Sequence, residues 1–228
     1  MTLIKRLANR VLGPFGLELY SKRFRRGYLS RLCEARTVID VGVGYGTYPL
    51  YRAFPDAQFL LIEPLIDYKP SIDRIARQYR CDVYFKGVGD REGTLEINVD
   101  PNDLQRSTFA DRTELSAGGN AVEKRTIDVV TLDAILRERG GVDQPVLLKI
   151  DTEGHELHAL RGATELLKIT DIVIAEASIA KRFKDSYEFE DLVGIMRDRG
   201  FYLFSFLTVR HLDGEPRPRF ADVVFKRR

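Results

Sequence analysis

TVIDVGVGYGTYPLYRAFPDAQFLLIEP, residues 37–64, reads as strand, glycine turn, helix and second strand, and it decides the fold. Thr37 to Val41 is a short β-branched run of the kind that fills a parallel strand buried on both faces. Gly42, Gly44 and Gly46 break it, and three glycines on alternate positions allow a tight turn and the close approach of a ligand to the backbone. Residues 47–54 are helix-compatible, with Pro49 in the first turn, where its missing N–H costs little. Gln58 to Ile62 is a second apolar strand that ends in Glu63 and Pro64. An acid at the tip of a second strand can accept both hydroxyls of a ribose. The stretch therefore predicts a nucleoside-containing cofactor at the carboxyl ends of the strands.

The glycine spacing bears on which nucleoside. A dinucleotide fingerprint G-x-G-x-x-G begun at Gly42 requires glycine at position 47, where Thr47 stands, so a nicotinamide dehydrogenase is disfavoured. Asp40, Gly42, Gly44 and Gly46 instead form a pattern that resembles motif I of the class I S-adenosylmethionine (SAM) methyltransferases. In that resemblance the loop faces the methionine part of SAM and Glu63 holds the ribose. The bland alternative is that the glycines only shape a strand-to-helix turn.

Length and composition fit one α/β domain: 228 residues, 44% hydrophobic and 31% charged. No apolar run approaches the roughly 20 residues of a spanning helix. Cys33 and Cys81 lie far apart and read as reduced thiols; with no signal-peptide pattern, the expectation is a cytoplasmic protein.

The net charge of +2 is unevenly spread. Residues 1–36 hold nine Lys or Arg against Glu18 and Glu34, a balance of +7, which leaves −5 for residues 37–228. We therefore read 1–36 as a basic helical arm and 37–228 as the catalytic domain. Leu3, Ile4, Leu7, Val11 and Leu12 fall at helical spacing, with Lys5, Arg6 and Arg10 off the stripe and Gly13-Pro14 as the stop. One reading is attraction to an anionic membrane surface or an acidic substrate; the favoured one is a helix capping the domain. No nucleic-acid motif accompanies the charge.

Beyond Glu63 helix and strand alternate. Tyr68 to Tyr79 is a predicted helix and Asp82 to Phe85 a third strand, which runs into a second glycine turn at Lys86 to Asp90. Thr94 to Val99 alternates like an antiparallel strand, and the polar passage 100–125 is long enough to be a lid, with Ser107, Thr108 and 116–120 as ligand-facing parts. Ile127 to Leu132 is a further strand, followed by a helix from Asp133 to Arg139 that Gly140 ends. A buried strand, Val146 to Ile150, then delivers Asp151 to the edge that carries the first glycine loop, with a helix from about Gly154. Asp151, Glu153, His155 and Glu156 crowd that edge. Ile172 to Ala175 is the fifth core strand and ends in Glu176. The helix 187–199 and the strands 201–209 and 222–226, with His211 on the loop between them, close the sheet.

Val38 to Gly46, Glu63-Pro64, Val130 to Asp133, Lys149 to Ala163 (KIDTEGHELHALRGA) and Ile172 to Glu176 together resemble the FkbM family of methyltransferases over residues 37–177. The chain departs from the family pattern at Gly44-Tyr45, and Val43 and Gly44 leave one polar side chain absent. The resemblance implies a Rossmann-like, mostly parallel seven-stranded sheet with helices on both faces. It also implies a SAM-dependent O-methyltransferase acting on a sugar, glycan or glycosylated small molecule. The implied cofactor residues are Asp40, Gly42, Gly44, Gly46, Glu63, Pro64, Gly87, Val88 and Asp151. An alcohol attacks well only as its proton leaves, and Asp151, His155 and Glu176 are the leading candidates for the group that takes it, with Glu153 and His211 behind them. His155 has the ordinary pKa best placed for a base. A competing use of Asp151, Glu153 and Glu176 is as hard oxygen ligands for Mg²⁺. The rival functions are transfer to nitrogen or to a phosphate-linked oxygen, and a non-catalytic nucleoside-binding scaffold.

Overall fold

A computed structural model describes residues 3–12, 14, 26–111, 122–180, 182–184, 187–211 and 216–228. Helix α1 (Leu3–Leu12) and the single turn α2 (Arg26–Leu29) precede the sheet. Then come β1 (Thr37–Val41), α3 (Tyr48–Ala53), β2 (Gln58–Ile62), α4 (Lys69–Ala76) and β3 (Arg80–Tyr84). A small sheet follows from β4 (Gly87–Val88), β5 (Gly93–Val99) and β6 (Glu123–Val130). The second half runs α5 (Leu132–Arg139), β7 (Val146–Ile150), α6 (Glu156–Arg161), α7 (Thr164–Ile169), β8 (Thr170–Ser178), α8 (Phe189–Asp198), β9 (Phe201–His211) and β10 (Pro218–Arg227).

The main sheet has seven strands in the order β3-β2-β1-β7-β8-β10-β9. The first five are parallel, and β10 is antiparallel to both β8 and β9. This is the expected Rossmann-like sheet. Its central strands are apolar on both faces because both are covered. Ile39, Val41, Leu148 and Ile150 pack in one layer with α5, α6, α7 and α8, while Val38, Phe59 and Leu147 pack in the other with α2, α3 and α4. Chain order reverses at β1: β2 lies on one side of it and β7 on the other. A crevice opens at the carboxyl ends of such a pair.

The strand starting near Ile127 is not a member of this sheet. As β6 it begins at Glu123 and runs parallel to β4 and antiparallel to β5 in a separate three-stranded sheet. Helix α5 starts one residue before Asp133, because the Thr131 hydroxyl caps it through the Ala134 N–H. Asp133 is thereby free to accept from the Glu165 and Leu166 N–H groups and so to cap α7 instead. Residues 116–120 of the expected lid lie outside the described residues.

Candidate functional site

The crevice at the β1/β7 switch point is a cavity of about 480 Å³. Its walls come from the glycine loop (Gly42, Gly44, Gly46), the β2 tip (Glu63, Pro64), the second glycine turn (Gly87, Val88), the β7 tip (Asp151) and, within β8, Glu176. The first loop sits against the β7 tip so closely that a Cβ on Gly42 would lie 1.8 Å from the Asp151 carbonyl oxygen, and Gly42 also has φ +77°. Glycine is required there on both counts.

Glu63 is buried and turned back toward the loop. One carboxylate oxygen accepts from the Gly44 N–H at 2.9 Å, and the other from the Leu65 N–H at 3.0 Å. Burial pushes the Glu63 pKa up and the two N–H donors restrain the rise, which leaves it at about 7.

Asp40 differs from its expected place. It is fully buried beneath the loop, off the cavity wall, where it accepts from the Tyr51 hydroxyl at 2.6 Å. Its other oxygen lies 3.1 Å from the Lys149 ammonium. That contact is an ion pair, since the directed hydrogen bond of Lys149 goes to the Gly42 carbonyl at 2.9 Å. Lys149 also lies 3.4 Å from Asp151. Burial opposes its charge, but Asp40 and Asp151 outweigh burial and raise its pKa. One cation thus ties the β1 interior, the loop backbone and the β7 tip together. Sequence reasoning missed Lys149, although a lysine inside an otherwise apolar strand, VLLKI, is a readable signal because it must be paired.

The turn after β7 is held from below. Glu156 is fully buried; its Oε1 accepts from the Thr152 N–H, the Thr152 hydroxyl and the Gly154 N–H, and its Oε2 from the Tyr187 hydroxyl at 2.9 Å. Its role is to clamp the turn rather than to face a ligand. The clamp fixes Glu153 in the left-handed region at φ +52°, a conformation that costs a non-glycine residue about 1–3 kcal/mol. Glu153 joins Asp151 and Glu176 on the cavity wall.

Glu176 pairs with the buried Arg182 guanidinium, which also lies 3.4 Å from Glu153. Burial pushes Glu176 well above the ordinary carboxylate range, and the Asp151 and Glu153 charges add to the rise against the pull of Arg182. Asp222, also on the wall, is raised chiefly by burial. Carboxylate oxygens of Asp151, Glu153 and Glu176 all lie within 4.8 Å of one another. Two of the three already share Arg182, which neutralises the charge a divalent ion would otherwise meet, so we derive no step through a metal.

His155 is also not where a base is needed. Its ring stacks on His158 with centroids 4.4 Å apart and tilts at 5.1 Å against Phe109, which lines the cavity where His155 does not. Burial, helped by the His158 charge, lowers its pKa to about 4. His211 is exposed at the end of β9 and takes no part in the wall. Ser107 and Thr108 do line the cavity, and the Thr108 hydroxyl donates to the Glu153 carbonyl at 2.6 Å.

The curated relative "Methyltransferase sdnD" of Sordaria araneosa is 26% identical over 159 residues, which is 56% of this chain and 60% of that protein. The match thus spans less than two thirds of the relative's length. Magnesium protoporphyrin IX methyltransferase (ChlM) from Synechocystis PCC 6803, solved with bound SAM, aligns at TM-score 0.47 and 13% identity over 89% of this chain and 76% of that one. TehB from Haemophilus influenzae aligns at TM-score 0.49 and 6% identity over 96% and 66%. The family model described as the Methyltransferase FkbM domain matches residues 40–203, from the glycine loop to the start of β9. The chain therefore belongs to the FkbM methyltransferase family.

Proposed function

We propose that the protein is a SAM-dependent methyltransferase that O-methylates a hydroxyl of a sugar, a glycan or a glycosylated small molecule. The observation that carries this is the wall of the cavity itself. A ribose-type acceptor, Glu63, and a glycine-rich loop line it together with the carboxylates Asp151, Glu153 and Glu176. A volume of about 480 Å³ suits a nucleoside cofactor with part of an acceptor.

Gly42, Gly44 and Gly46 would hold the cofactor through their backbone, Glu63 through its ribose hydroxyls, and Gly87 and Val88 at its base. Bound there, SAM supplies an electrophilic sulfonium methyl. The chain's own task is to align an acceptor oxygen and take its proton, and alignment accounts for much of the acceleration. Glu176 suits the proton step because burial raises its pKa, which makes its carboxylate a stronger base than an exposed glutamate. Arg182 fixes that carboxylate in place. Asp151 and Glu153 can each accept a hydrogen bond from a neighbouring hydroxyl of a polyol acceptor. The same carboxylates would repel a phosphate, which disfavours a phosphate-linked acceptor.

The test is transfer of a radiolabelled methyl from SAM to a panel of glycosides and deoxysugars. Transfer by the wild type, lost in Glu176→Gln with S-adenosylhomocysteine binding retained, supports the reading. Binding of S-adenosylhomocysteine without transfer to any hydroxyl, amine or phosphate acceptor favours the scaffold instead.

A further inference from the structure

Helix α1 has the sequence LIKRLANRVL, ten residues with no acid. Leu3, Leu7 and Val11 recur one turn apart with Ile4 beside them, a spacing that puts them on one face. In the structure Leu7 is 57% and Val11 68% exposed, so the described residues do not cover these two side chains of the stripe. That departs from the capping helix the sequence favoured. A ten-residue helix is too short to hold itself together in water without a surface to pack on.

The charge indicates which surface. Lys5, Arg6 and Arg10 flank the stripe, and residues 1–36 carry nine basic residues against two acids. A short helix with an apolar stripe and only basic charge beside it lies in the plane of an anionic bilayer, with the stripe in the acyl boundary and the bases among the headgroups.

We propose that α1 is a membrane-surface docking helix that seats the protein on a bilayer rich in anionic lipid. The domain of residues 37–228, at −5, gains nothing from such a surface, so the arm carries the attraction alone.

The experiment is co-sedimentation of the full chain with vesicles of phosphatidylcholine alone or with 30% phosphatidylserine. Each basic residue at an anionic surface contributes about fivefold in partition, so the three in α1 give on the order of 100-fold preference for the anionic vesicles. Raising salt should erase most of it. Leu7→Ser/Val11→Ser, which keeps the charge, should lose binding to both vesicles by tenfold or more. Lys5→Gln/Arg6→Gln/Arg10→Gln, which keeps the stripe, should lose the anionic preference. Unchanged unfolding midpoints would show that the domain is intact in both variants. The proposal is overturned if the wild type fails to bind anionic vesicles, or if the serine variant binds as the wild type does. It is also overturned if the wild type is a dimer that the serine variant dissociates, which would make a second copy the occupant.

Discussion

Replacing Lys149 by Met probes the centre of the site from a residue that lines the cavity itself. The substitution keeps the volume of the side chain and removes the one cation that faces Asp40 among the described residues; Asp40 is fully buried. Asp40 would retain the Tyr51 hydroxyl at 2.6 Å as its remaining donor in the structure, and the Gly42 carbonyl would lose its partner at 2.9 Å. Breaking a buried pair from one side costs about 3–5 kcal/mol, because it leaves an uncompensated charge. For a chain of this size each kcal/mol lowers the melting temperature by about 2–4 °C, so the drop should be about 6–20 °C. The Asp151 carboxylate contributes little to the loss, since its side chain is 35% exposed and water can replace Lys149 there. Asp40→Asn/Lys149→Met removes both charges and should be much less harmful than the sum of the single changes, with a coupling of about 2–3 kcal/mol. Urea unfolding of the four proteins measures this cycle. If Lys149→Met lies within about 1 kcal/mol of the wild type, or if the two changes simply add, the pair is not what holds the loop against β7.

Other expectations follow from single contacts. Gly42→Ala should abolish cofactor binding, since its Cβ would meet the Asp151 carbonyl at 1.8 Å and the loop would have to leave the β7 tip; calorimetry with S-adenosylhomocysteine checks this. Glu63 has a pKa near 7 in the free protein, and ribose hydroxyls donate to its charged form, so binding releases a proton and affinity should rise with pH up to about 7 and then level off. Glu63→Gln should flatten that dependence. The stability linkage of the free protein has the opposite sign. The folded pKa lies above the ordinary 4.5, so the unfolded chain loses its proton first and Glu63 makes the fold less stable as pH rises from about 4.5 to 7. Glu156→Ala orphans the buried Gly154 and Thr152 N–H groups and should cost at least about 2 kcal/mol in urea unfolding, with a fall in kcat as Glu153 moves. In a pH–rate profile, His155→Gln should leave the acid limb of the wild type in place.

Much of the fold is legible in the sequence because the central strands are short, apolar and bounded by glycine or acid. β1, β2 and β7 occupy the ranges their residues predict, and Glu63 and Asp151 lie on the cavity wall because residues that follow strands of one parallel sheet share an edge; Glu176 joins them from within β8, one residue past its pairing with β7, because β8 runs on to Ser178 against β10. The misreadings have physical causes. Asp40 stands inside β1 rather than at its tip, and the twofold alternation that sets Ile39 and Val41 in one layer sets Asp40 in the other, next to Lys149. Motif reading placed it at the ligand; strand periodicity would have placed it under the loop. His155 follows a turn with left-handed Glu153 and Gly154 and packs behind Phe109 rather than on the wall, and no local pattern announces a left-handed glutamate. Arg182 lies in irregular chain after β8 and meets Glu153 across 29 positions, a pairing only the folded chain reveals. Tyr187 and Glu156 are 31 positions apart for the same reason.

Binding of S-adenosylhomocysteine tests the central claim most directly. Thermal unfolding should be followed for the wild type and Glu63→Ala, alone and with S-adenosylhomocysteine or NAD. A ligand at 100 times its Kd stabilises the fold by about 2.7 kcal/mol, which corresponds to a rise of about 5–11 °C at 2–4 °C per kcal/mol. The cavity described here predicts that rise for S-adenosylhomocysteine, its loss in Glu63→Ala, and no rise with NAD. A rise with NAD alone, or with neither ligand, would contradict the assignment of the β1/β7 crevice as a SAM site.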